Sequence, residues 1–188
     1  MKTYRIFLIS FFLLVFSNTA VSAPPKECIE KVSPDLMKLL EVKFHKLKIP
    51  KLVDLDQQSV NFDLQEGGDG CFAVAEGDFD GDQRQDLAIL LTSINKKSPH
   101  LIVALKRGEY WVIHQLPTFC DTAQFCYVKP EKPGTYIRSE ALDGPPSRRN
   151  ERVKLTSKTT SVLAGRLEST GIVYVYSKGH WNYVWVSD

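Results

Sequence analysis

The stretch Gly77-Asp78-Phe79-Asp80-Gly81-Asp82-Gln83-Arg84-Gln85-Asp86-Leu87-Ala88-Ile89-Leu90-Leu91 decides how this chain is read. Four aspartates, Asp78, Asp80, Asp82 and Asp86, fall within nine residues, and an apolar run follows at once. Aspartate is common in turns, so a solvated acidic turn is the plain alternative. Carboxylates at alternating positions suit a loop that wraps a cation instead. Calcium takes six to eight oxygen ligands at short range. Counted from Asp78, the aspartates hold positions 1, 3, 5 and 9, and Arg84 at position 7 could offer its backbone carbonyl. Gly81 relieves crowding, and Leu87 to Leu91 would anchor the exit as a buried strand. A donor set made only of oxygen points to calcium. An EF-hand is excluded, because its bidentate glutamate at position 12 is replaced here by Ile89.

The residues Gly77-Asp78-Phe79-Asp80-Gly81-Asp82 and Asp86-Leu87-Ala88 resemble the calcium loop of FG-GAP/VCBS-type repeats, found in integrin-like β-propellers and in many exported bacterial proteins. The resemblance implies that Asp78, Asp80, Asp82 and Asp86, with the backbone of Arg84, ligate calcium between two strands. Two departures bear on it. Where the family usually has a glycine, this chain has Gln83, and a left-handed backbone there costs about 1 kcal/mol. The motif also occurs once, and a single motif cannot close a propeller. More loosely, the chain resembles small exported single-motif proteins of uncharacterised function, with a cysteine before the loop, a meander after it and an aromatic hairpin ending in Trp185-Val186-Ser187-Asp188.

Residues 1–23 read as a signal peptide. Lys2 and Arg5 precede the apolar run Ile6 to Phe16, and small residues follow. That run is shorter than the roughly 20 residues a membrane span needs. Cleavage after Ala23 fits a small-x-small pattern, with Ala20 and Ser22 as alternatives; a retained anchor is the competing reading. The signal holds two of the 24 basic residues and none of the 22 acidic ones, so residues 24–188 are formally neutral. Nucleic-acid binding by bulk charge therefore loses its support, and Lys96-Lys97 and Ser147-Arg148-Arg149 read as solvated loop residues. The four cysteines, Cys28, Cys71, Cys120 and Cys126, follow the signal, and an even count in an exported chain favours disulfides. Three pairings are possible. Local closure of Cys120 with Cys126, leaving Cys28 for Cys71, is the favoured one. The absence of an Asn-x-Ser/Thr sequon mildly favours a bacterial envelope protein, periplasmic or secreted.

Residues 24–188 are long enough for one domain with a real core. Ser33-Pro34-Asp35 opens a helix, with Leu36, Leu39, Leu40 and Phe44 at helical spacing and an end before Pro50. Strand patterns follow at Cys71–Ala75, Leu87–Leu91, Leu101–Leu105, Tyr110–Leu116, Arg152–Thr156, Ser161–Leu167, Ile172–Ser177 and Trp181–Ser187. Pro117–Pro133 and Asp143–Asn150 read as loops. The expected fold class is α+β: one N-terminal helix and a mostly antiparallel sheet of six to eight strands in meander hairpins, not a complete β-propeller. Alternation in the last hairpin puts Ile172, Tyr174 and Tyr176 on one face and Val173 and Val175 on the other; likewise Trp181, Tyr183 and Trp185 oppose Val184 and Val186. Such an aromatic stripe is more often core than a ligand platform.

No catalytic pattern stands out. His45, His100, His114 and His180 are scattered, no nucleophile elbow, zinc motif or phosphate loop is present, and Asp121, Glu140 and Asp143 read as ordinary loop acids. The expectation is a non-catalytic, calcium-stabilised binding domain for an envelope protein or glycan. An inhibitor or immunity-type protein acting on a cell-wall-active enzyme, through a protruding Pro117–Pro133 loop, is the second reading. A carboxylate-based hydrolase is the third.

Overall fold

The computed structural model describes residues 26–93, 99–142, 144–169 and 171–186. The expected signal segment, Lys96-Lys97, Asp143 and the terminal Ser187-Asp188 lie outside them. Helix α1 runs Pro34–Lys43 and α2 runs Gln57–Gln65. The strands are β1 Val74–Gly77, β2 Asp86–Leu91, β3 His100–Arg107, β4 Tyr110–Leu116, β5 Cys126–Glu131, β6 Gly134–Ile137, β7 Lys154–Ser157, β8 Ser161–Arg166, β9 Gly171–Ser177 and β10 His180–Val186. The fold is α+β with antiparallel strand pairing, and none of its sheets closes into a barrel or a complete propeller.

Helix α1 begins where the proline ring fixes φ, and its i, i+4 pair Leu36 and Leu40 is buried. A second helix joins the expected one. Asp56 caps α2 by accepting the Ser59 backbone N–H at 2.9 Å. Helical periodicity is a weak guide there, because only Val60 is buried and Phe62 is 65% exposed.

Three sheets replace the expected single one. The first has the consecutive order β1-β2-β3-β4, the second β10-β9-β8-β5, and β6-β7 forms a ribbon. Sheet two is covered on both faces. Val162, Ala164, Ile172, Tyr174, Trp181 and Tyr183 join the buried cluster that contains β2 and β3. Tyr127, Leu163, Val173, Val175 and Val184 form a second cluster, against which Tyr136 of β6 and Leu155 of β7 pack. The alternation in the last hairpin sorts its aromatic residues toward sheet one and its valines toward the ribbon. Residues 178–179 make a two-residue turn with positive φ at both positions, 51° at Lys178 and 80° at Gly179, as a type I′ hairpin requires.

The expected loop Pro117–Pro133 is half strand. Residues 126–131 are β5, and Pro130 is tolerated there because β5 is the outer strand of its sheet. The remainder is folded down rather than projecting: Cys120, Ala123 and Cys126 are buried, and the Cys120–Cys126 disulfide closes it. The other disulfide, Cys28–Cys71, ties the 3-10 turn Cys28–Lys31 to the entry of β1.

Candidate functional site

The acidic loop connects β1 to β2, which are antiparallel neighbours, with Gly77 paired to Asp86 across its base. Phe79 holds it down. Its side chain is fully buried, and its carbonyl accepts from the Thr159 hydroxyl at 3.4 Å. Gly81 takes φ +84°, and a Cβ there would meet the Thr159 methyl at 2.8 Å. The loop is thereby seated on the β7–β8 connection.

Asp78, Asp80 and Asp86 each offer an oxygen within 4.8 Å of the others, and this trio could hold a metal ion. Asp78 accepts from the backbone N–H of Gly81 at 2.7 Å and of Gln83 at 3.0 Å. Asp80 accepts from the Asp82 N–H at 3.1 Å. Buried Asp86 accepts from the N–H groups of Phe79 at 2.9 Å and Lys106 at 2.8 Å, so it joins the loop to β3. Burial pushes its carboxyl up to about 6, those two N–H groups pull the other way, and the charges of Asp80 and Asp82 add to the rise.

Asp82 stands outside the trio. Its Oδ1 accepts from the Arg84 N–H at 3.0 Å, and its Oδ2 pairs with Arg107 Nη1 at 2.9 Å. The second arm of Arg107 lies against Asp80 Oδ2. Each oxygen of the four carboxylates therefore meets a backbone N–H or the Arg107 guanidinium. Gln83 adopts φ 66°, the left-handed backbone at which the resembling loops carry glycine. Arg84 is exposed in the loop. Its place in the expected ligand set rests on the resemblance.

Of the four histidines, His45 is exposed at the end of α1, and His100 Nδ1 lies 3.0 Å from Gln115 Nε2. His114 and His180, distant in sequence, line one cleft between the outer strands β4 and β10. His114 meets Tyr176 and Trp181 edge-on at 5.8 and 6.2 Å. Burial, and after it the Arg107 charge, lower its basicity. Asp121 and Glu140 are exposed. The chain matches no family model, and no curated protein or solved structure is significantly similar to it. Among the described residues no helix is long and apolar enough to cross a membrane, and the two disulfides are compatible with an extracellular or periplasmic setting.

Proposed function

We propose that the chain is an exported, non-catalytic binding domain of the cell envelope, stabilised by one calcium ion in a loop of the FG-GAP/VCBS type. The observation that carries the metal half is the approach of Asp78, Asp80 and Asp86 to within 4.8 Å on a loop seated by Phe79. Their hard oxygen donors suit calcium, and the ion would relieve carboxylate repulsion at the junction of β1, β2 and β3. Each carboxylate oxygen has two lone pairs, so one can meet the ion while the other keeps its N–H. A structural role suits this arrangement, because these carboxylates are already committed to holding the loop.

Thermal unfolding of the full chain in calcium and in chelator tests this half. Calcium should raise the melting temperature, and Asp80→Ala should abolish the calcium-dependent rise whatever it does to the baseline. An unmoved melting curve in the parent chain would sink the metal assignment. Retention of an envelope component on the immobilised chain tests the binding half, which fails if nothing is retained with or without chelator.

A further inference from the structure

We infer, on the reading of the chain as a binding domain, that the cleft between β4 and β10 is its ligand site and takes an acidic carbohydrate. The cleft has a volume of about 850 Å³, a size within the ordinary range for ligand sites of roughly 300–1,000 Å³, and among the described residues no carboxylate lines it. Three cations border it: Arg149, Arg152 and Lys178. No ion pair joins any of them to an acid among the described residues. Arg152 is held in place by backbone. Residues 150–152 run alongside β10, where the Tyr183 N–H donates to the Asn150 carbonyl at 3.0 Å and the Arg152 N–H to the Tyr183 carbonyl at 2.9 Å. Arg152 also donates from Nη1 to the carbonyls of Arg149 and Glu151 at 2.7 and 2.8 Å. The adjacent acid, buried Glu151, is engaged by Arg138 at 3.4 Å and by the Ser147 N–H at 3.1 Å.

The inner wall supplies a second, independent observation. Trp181 is 8% exposed, and its Nε1 and His114 Nε2 have no hydrogen-bond partner among the described residues. Buried polar atoms are seldom left that way, since each forgoes the hydrogen bonds it had with water. The indole N–H is a donor only, so what it lacks is an acceptor. Cations that no described acid neutralises, in a cleft whose wall also holds a donor without an acceptor, call for a ligand that is acceptor-rich and negatively charged. The remaining lining favours a sugar over an acidic peptide. Asn150 and Asn182 provide amides that both donate to and accept from hydroxyls, whereas Leu116 and Pro117 are the only aliphatic residues available to peptide side chains.

Calorimetric titration of the full chain with four polymers tests this: alginate oligomers for uronate, dextran sulfate for sulfate, neutral dextran, and polyglutamate. Binding to alginate or dextran sulfate that weakens with salt, and weak or absent binding to the other two, is the expected result. The sugar that binds names the anion. Arg149→Ala combined with Lys178→Asn should weaken binding about tenfold or more; asparagine keeps the left-handed turn at Lys178. Trp181→Phe, which removes one donor and keeps a ring, should weaken it severalfold. The inference is overturned if neither acidic sugar binds, if dextran binds as well, if polyglutamate binds more tightly, or if the double variant binds like the parent. If the double variant still retains the envelope component in the retention assay, the cleft assignment fails while the binding-domain reading stands.

Discussion

Gln83 holds a φ of 66° in the acidic loop, where a residue with a Cβ is strained by about 1 kcal/mol. Its side chain is exposed and its N–H donates to Asp78, a bond that glycine would retain. Gln83→Gly should therefore stabilise the chain by about 0.5 kcal/mol at most, the relief of strain being largely offset by the larger entropy of an unfolded glycine; urea unfolding in chelator measures it. Arg107 acts in the opposite direction. Its guanidinium bridges Asp80, whose side chain is almost inaccessible, and Asp82. It stands where a cation would relieve the same repulsion. Arg107→Gln should cost about 1–3 kcal/mol in chelator, between the limits for exposed and buried pairs. It should also enlarge the calcium-induced rise in melting temperature, because the carboxylates gain no other cation. An equal or smaller rise would show that guanidinium and metal do not share these oxygens. The aspartates and the strained position at Gln83 were legible in sequence, since loop spacing is local. Arg107 was not: it follows Asp82 by 25 residues and reaches it only through the β2–β3 pairing.

Among the elements, legibility followed how cleanly one face is buried. The strands β2, β3, β9 and β10 announced themselves, because short apolar runs bounded by turns and strict alternation both fit a strand well and a surface helix poorly. The opposed faces of the last hairpin could be assigned residue by residue, and they match the two buried clusters. Helix α2 and strand β5 escaped for opposite reasons. The helix buries one side chain, so its periodicity is faint, and the cap formed by Asp56 with Ser59 was the available sign. The strand carries Pro130, which reads as a breaker until the strand is known to be an outer one. Segment 147–152 is more than the solvated stretch its composition suggests. Arg148 lies over the Phe119 ring at 4.4 Å, and residues 150–152 are bonded to β10. No local pattern encodes that attachment, because the partner strand arrives some thirty residues later, and with it the candidate cleft stayed hidden.

At the scale of the whole molecule, the two four-stranded sheets share one core, and a single tyrosine hydroxyl fastens them near the end of β4. Tyr174, 1% exposed on β9, donates to the carbonyl of Pro117 at 2.5 Å. Burial drives its phenol far above the ordinary range, the neighbouring Tyr183 adds to this, and Arg148 opposes it. The folded chain thus keeps this proton where an unfolded chain, with a phenol near pH 10, releases it. A raised folded-state value means that the stabilisation is complete below about pH 10 and is lost as pH rises beyond it, by up to about 1.4 kcal/mol per pH unit. Burial also raises Tyr183 and Tyr136, so they share in the decline. No free thiol is present to reshuffle the disulfides during the measurement. Tyr174→Phe should cost about 1 kcal/mol near neutrality, from the lost bond to Pro117. Its stability should then fall less steeply than the parent's above pH 10, so that the two denaturation midpoints converge as alkalinity increases. Parallel declines in a urea series across that range would show that the Tyr174 proton does not link the sheets to alkaline unfolding.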